Sequence, residues 1–252
     1  MKRTSVAISM AIVSAATLLA GTSPAMAGTI TGSQWNTPAV IYGGDTSSGN
    51  GITPGTNGDS YIAAYSSSYG GSAELAVIND ASGVTDAYVG TPGNFGVLSN
   101  VSMSFDTANY SGVSGGEPYA VLTIFDGSGD YFDLISADSS RAAGDGINAS
   151  TNVGVWDFQT NSWFNGITSY STPVPLGSLF ATNDGNGVTF GQTQAIVAWA
   201  DMGQWGANGA SGTAYVNEMQ VSASEPPTFP LFGVGFALLV AGVVRSRRRG
   251  TA

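Results

Sequence analysis

The sequence predicts an all-β fold, a single β-sandwich of jelly-roll type flanked by an apolar helix at each end of the chain. Three observations predict it. Between residues 28 and 222 no stretch carries a capped, 3.6-residue apolar period. Short runs rich in Val, Ile, Tyr and Phe recur instead, separated by turn-forming residues at intervals of about 8–15 positions. The 252 residues include 36 Gly, no Cys and no His, so turns are abundant and no disulfide framework exists. No internal repeat of fixed period is present.

Taken in order, residues 1–27 come first. Lys2 and Arg3 open the chain, residues 6–20 are apolar, and Ala25-Met26-Ala27 ends the segment. A charged start, a short apolar middle and small residues at a cleavage point make an export signal, removed by signal peptidase between Ala27 and Gly28. Residues 28–71 are rich in Gly, Ser, Thr and Asn, with strand-forming runs at 39–42 and 61–65; residues 43–59 read as turns. Strands are expected at 74–79, 84–89 and 101–105, the last from strict alternation of Val101, Met103 and Phe105 with serines. Residues 119–125 (YAVLTIF) are apolar on both faces, the mark of a central strand. A turn at 126–130 returns the chain into 131–135 as a hairpin, and 141–150 reads as a loop. A second hairpin is expected from 153–158 to 163–164, with further strands at 194–200 and 214–221. That makes about ten strands in one domain, 28–222.

Charge excludes some functions. Residues 28–224 hold sixteen acids against one base, Arg141. Such a surface repels a phosphate backbone, so nucleic acid is not an expected partner. With neither Cys nor His, thiolate nucleophiles, imidazole zinc sites and Ser-His-Asp triads are excluded too.

Three constellations could carry chemistry. Asp126, Asp130 and Asp133, followed by Asp138 and Asp145, lie among Gly and Ser, and Asp184 and Asn186 sit in a second oxygen-rich loop. Oxygen ligands on glycine-rich loops suit Ca²⁺, although neither loop completes an EF-hand pattern and turn chemistry explains both. Among the aromatics, Trp163, Phe164 and Tyr170 fall in or near turns, and Trp163 and Trp205 are the candidates for stacking on sugar rings. Trp156 and Trp199 lie inside apolar runs and are expected in the core. Glu74, Glu117 and Glu218 form no compact pair of the kind a glycosidase needs, so catalysis is not expected. Residues 215–221 (YVNEMQV) resemble the closing strand of carbohydrate-binding-module and lectin-like jelly rolls.

The tail, 223–252, is a second address. Glu225-Pro226-Pro227 is extended, residues 229–244 are apolar, and Arg245, Arg247, Arg248 and Arg249 follow. As a helix, the apolar run would be about 24 Å long at 1.5 Å per residue, slightly short of the ~30 Å hydrocarbon core. The arginines would hold its end in the cytoplasm. Glu225-Pro226, the run 231–239 and the arginine cluster together resemble the PEP-CTERM sorting signal of Gram-negative bacteria. The resemblance implies processing by an exosortase-type transpeptidase near Glu225-Pro226, transient anchorage in the inner membrane, and delivery to the cell surface or extracellular matrix. On this reading the expected protein is a structural or adhesive component of the matrix or biofilm. The alternatives are a glycan-binding module for extracellular polysaccharide and a carboxylate-based polysaccharide-modifying enzyme.

Overall fold

A computed structural model describes residues 28–46, 61–77, 85–112, 118–137, 146–203 and 212–223. The expected export signal before Gly28 and the expected sorting residues from Glu225 onward lie outside this set, as do Glu117, Trp205, Asp138 and Asp145. Among the described residues no helix is long and apolar enough to cross a membrane.

Two antiparallel sheets face each other. The six-stranded sheet runs in the order β3 (Tyr61–Ser66), β4 (Ser72–Val77), β14 (Gly212–Ala223), β6 (Val101–Gly112), β9 (Gly146–Ile147), and β1 (Gly28–Thr31) pairs with the end of β14. The eight-stranded sheet runs β11 (Ser162–Trp163), β10 (Asn152–Asp157), β8 (Tyr131–Ser136), β7 (Pro118–Phe125), β13 (Gln194–Gly203), β5 (Thr85–Val97), β2 (Ile41–Thr46). There β12 (Val174–Pro175) pairs with β10.

The strands alternate as side chains on a pleated backbone must. One parity builds a single core between the sheets: Leu75, Val77, Met103, Phe105, Val216 and Met219 from one, Leu122, Ile124, Phe132, Leu134, Val153 and Val155 from the other. Val216 and Met219 share that core although three residues apart, because a bulge between Val216 and Glu218 shifts the register. The fully buried Trp35 fixes this bulge, its indole Nε1 donating to the Asn217 carbonyl at 3.0 Å.

Both expected hairpins form: β7 with β8, and β10 with β11. The 119–125 run is central, flanked by β8 and β13. The structure adds β1, β9 and β12, which sequence patterning did not reveal. Two of these span two residues each, too short to show a period, and β9 falls where a loop was expected. The only α-helix among the described residues is the turn Leu176–Leu179.

The two outer faces differ in kind. That of the six-stranded sheet exposes Ser104, Asp106, Glu218, Gln220 and Ser222. That of the eight-stranded sheet is aromatic.

Candidate functional site

The aromatic face is built on glycines. Trp199 points away from the core occupied by its neighbours Ala198 and Ala200, and its ring lies on Gly90, its cross-strand partner. A Cβ at position 90 would stand 2.0 Å from Trp199 Cε3. The indole Nε1 donates to Thr123 Oγ1 at 2.8 Å, and Thr123 Oγ1 donates to Asp133 Oδ1 at 2.6 Å. Ring position is thus fixed from below by a missing side chain and from the side by a hydrogen-bond relay. Tyr88 repeats the device over Gly43, where a Cβ would lie 2.5 Å from its ring. Tyr88 also meets Trp199 edge-on, centroids 5.3 Å apart.

Further along the face, Trp156 and Trp163 are cross-strand partners on β10 and β11 and pack edge to face at 5.4 Å. Trp163 meets Tyr170 in the same manner at 5.9 Å, and Tyr170 is 69% exposed. The segment carrying Tyr170 is docked on a third glycine: a Cβ at Gly154 would lie 2.3 Å from the Ser169 backbone nitrogen. Val155 N–H donates to the Ile167 carbonyl beside it at 2.9 Å. Trp156, Trp163 and Trp199 are each half-buried and pack on Tyr119, Val121 and Ile135, a small apolar cluster separate from the main core.

Carboxylates lie among these rings. Asp133 is paired across strands with Thr123 and Trp156. Burial pushes its carboxyl up to about 7, against the hydrogen bond from Thr123. Asp201 sits between Tyr88 and Tyr119 in the register. Burial first, then the negative charge of Asp86, raise it well above the ordinary range, while the Tyr119 hydroxyl opposes the shift. Asp86 precedes Tyr88 by two residues on β5 and so shares its side of the sheet.

The loops expected to suit calcium are arranged differently. Asp126 Oδ1 accepts backbone N–H groups from Ser128 (2.8 Å), Gly129 (3.1 Å) and Asp130 (2.9 Å), and the Ser128 hydroxyl donates to Oδ2. Asn186 reaches over from the second loop, its Nδ2 donating to Asp126 Oδ2 at 3.0 Å and Asp130 Oδ2 at 3.1 Å. Burial raises the Asp126 carboxyl, but the bonds from Ser128, Asp130 and Asn186 together hold it below its ordinary value. Asp130, with fewer donors and with Asp157 nearby, is raised, chiefly by burial. Asp184 Oδ1 accepts from the Asn186 and Val188 amides at 2.8 and 3.2 Å. The structure therefore joins Asp126, Asp130 and Asn186, whereas Asp133 belongs to the aromatic face. Among the described residues no group of three or more acidic side chains converges as a metal site would require.

The aromatic expectations divide. Trp163 and Tyr170 stand on the exposed face, as their turn positions suggested. Phe164 instead packs into the core against Phe132 and Phe190. The expectation that Trp156 and Trp199 are core residues is corrected: both lie on the outer face. The continuous apolar run 194–200 hid the parity of Trp199. Asp201, two residues on, carried the signal, because a carboxylate at the same parity marks the solvent side. Trp156 could have been placed likewise from Asn152 and Gly154. On the other sheet, Tyr215 stacks on Tyr69 at 3.8 Å and donates to Glu74 at 3.3 Å, while Glu218 is exposed.

No family model matches the chain, and no curated protein matches it. Solved structures with some similarity include one from work on endo-acting O-glycanases that human gut bacteria express to begin mucin breakdown. It is 8% identical with a TM-score of 0.32, covering 62% of this chain and 81% of its own. Another comes from work on ganglioside-dependent cell entry by botulinum neurotoxin type C, at 10% identity and 0.35, covering 84% of this chain and 51% of its own. A third is a family 11 carbohydrate-binding module from Clostridium thermocellum in complex with a mixed-linked β-1,3-1,4 tetrasaccharide, at 10% and 0.27, covering 79% and 91%. Scores this low carry no argument about function.

Proposed function

We propose that this is an exported protein of the cell surface or extracellular matrix, sorted through its tail, whose β domain binds polysaccharide without turning it over. The observation that supports binding is the row of three half-buried tryptophans on a sheet face that no other layer covers among the described residues. Flat apolar rings held in fixed positions match the apolar faces of pyranose rings, and carboxylates between them accept sugar hydroxyls. Two of the rings' supports are glycines, so the platform is set before a ligand arrives.

Electrophoresis of the purified protein through gels loaded with β-glucan, glucomannan or partly de-N-acetylated chitin tests this. At least one polysaccharide should retard the wild type, with retardation lost in Trp199→Ala and reduced in Trp163→Ala while the melting temperature holds. Equal mobility in every gel would remove the reading. Hydrolysis is the competing reading, because the Asp133 carboxyl is pushed up to about 7 as in a general acid. New reducing ends, released by the wild type but not by Asp133→Asn, would establish it. For delivery, Glu225→Ala should leave the tail attached; normal processing of that variant would contradict sorting through Glu225-Pro226.

A further inference from the structure

We infer that the aromatic face binds the interior of an extended polysaccharide chain, laid across the strands over about five sugar rings, and does not bind a chain end. This rests on the reading of that face as a glycan site and names the part of the polymer it takes.

The first argument is where the rings stand. Tyr88 on β5 is two residues from Gly90, the cross-strand partner of Trp199 on β13. From Trp199 the register runs through Val121 on β7 and Ile135 on β8 to Gly154 on β10. Trp156 lies two residues beyond Gly154, on the side away from Tyr88, and Trp163 is its partner on β11. The rings therefore file diagonally over neighbouring strands from β5 to β11. Five strand spacings of about 4.8 Å make about 24 Å, the length of about five pyranose units in an extended chain.

The second argument is the floor of this file. The outward positions between Trp199 and Gly154 are Val121 and Ile135, and all three indoles pack over them. They are 4% and 2% exposed, so the middle of the file is roofed. A terminal sugar is recognised by enclosing it, which needs a concave pit. A roofed row meets a chain from one side and lets it continue past both ends. Tyr170, exposed and packed edge-on to Trp163, carries the row past β11. Beneath Tyr88, the edge strand β2 contributes Gly43, which adds no side chain in the way.

The file has two stations. Tyr88 and Trp199 meet edge to face at one, and Trp163 meets Trp156 and Tyr170 in the same manner at the other. A short oligomer engages one station. A longer one engages both, and its second contact is intramolecular, so it binds more tightly without any change in the chemistry of either contact.

Isothermal titration of the purified protein tests this, with oligomers of two to six units from whichever polysaccharide most retards it in gels: cello-, manno- or chito-oligosaccharides. Affinity should rise with each unit to about five and then level, the pentamer binding at least about tenfold tighter than the disaccharide. Opening the terminal ring of the hexamer by borohydride reduction should leave its affinity unchanged. Trp163→Ala should lower the plateau and bring it to shorter oligomers, because the Trp199 station then acts alone. A disaccharide bound as tightly as the hexamer, or a reduced hexamer that no longer binds, overturns the chain-interior assignment and leaves glycan binding standing. If no polysaccharide retards the protein, or Trp199→Ala leaves every titration unchanged, the glycan reading falls, and this assignment with it.

Discussion

Gly90→Ala tests whether the Trp199 platform is held as described. The new Cβ would stand 2.0, 2.4 and 2.6 Å from three ring atoms of Trp199, where ordinary contact begins at 3.4 Å. The ring must therefore move by at least about 1.4 Å, because the Cβ itself is anchored to a paired strand. Such a move breaks the 2.8 Å bond from Nε1 to Thr123, at a cost of about 1 kcal/mol. Against this, alanine restricts the unfolded chain and returns about 0.4–1 kcal/mol. The two nearly cancel, so thermal denaturation should shift by no more than a few degrees. Affinity does not cancel. A displaced indole forfeits a stacking contact worth about 1.4 kcal/mol, or tenfold in Kd. Titration of both proteins with the polysaccharide that most retards the wild type measures it. Unchanged affinity in a folded Gly90→Ala protein would refute the claim that this ring, in this position, is part of the site.

Other outcomes follow from the carboxylates. Asp133 has a folded value of about 7 against an ordinary 3.8, so its contribution is complete below about pH 4 and is lost as pH rises toward 7. Asp133→Asn should remove that slope and raise stability at pH 8 by on the order of 2 kcal/mol; an unchanged pH profile of melting temperature would contradict its burial. Asn186→Ala should destabilise by about 1–2 kcal/mol at neutral pH, because Asp126 and Asp130 lose the amide between them, and the loss should shrink in acid as Asp130 protonates. Since that amide occupies the bridging position, millimolar calcium should not raise the wild-type melting temperature. A clear rise would show that a cation displaces Asn186.

Much of the sandwich was legible because period-two alternation survives in strands such as 101–105, where polar residues mark one face. The hairpins at 126–130 and 159–162 were legible from turn chemistry. What alternation could not convey was the outer face of the eight-stranded sheet. There both parities are apolar, so Trp199 and Trp156 looked like core. The small inward residues Ala198 and Ala200 and the following Asp201 were the physical clue. The glycines under the rings were not legible, because Gly43 and Gly90 acquire meaning only from cross-strand register. The turns at 126–130 and 183–187 were legible from their Asp, Asn and Gly, but not that Asp133 leaves the loop for the aromatic face, nor the bridge from Asn186, which spans about sixty residues of sequence.

The central claim is that glycan meets this protein on the tryptophan face of the eight-stranded sheet. Indole N–H resonances of the ¹⁵N-labelled protein, assigned by single Trp→Phe variants and followed during addition of a hexamer of the polysaccharide that most retards the wild type, test it most directly. The signals of Trp156, Trp163 and Trp199 should move together and saturably, while that of Trp35, buried in the main core and bonded to the Asn217 carbonyl of the other sheet, should stay in place. Saturable binding that moves Trp35 and leaves the other three unchanged would contradict the account.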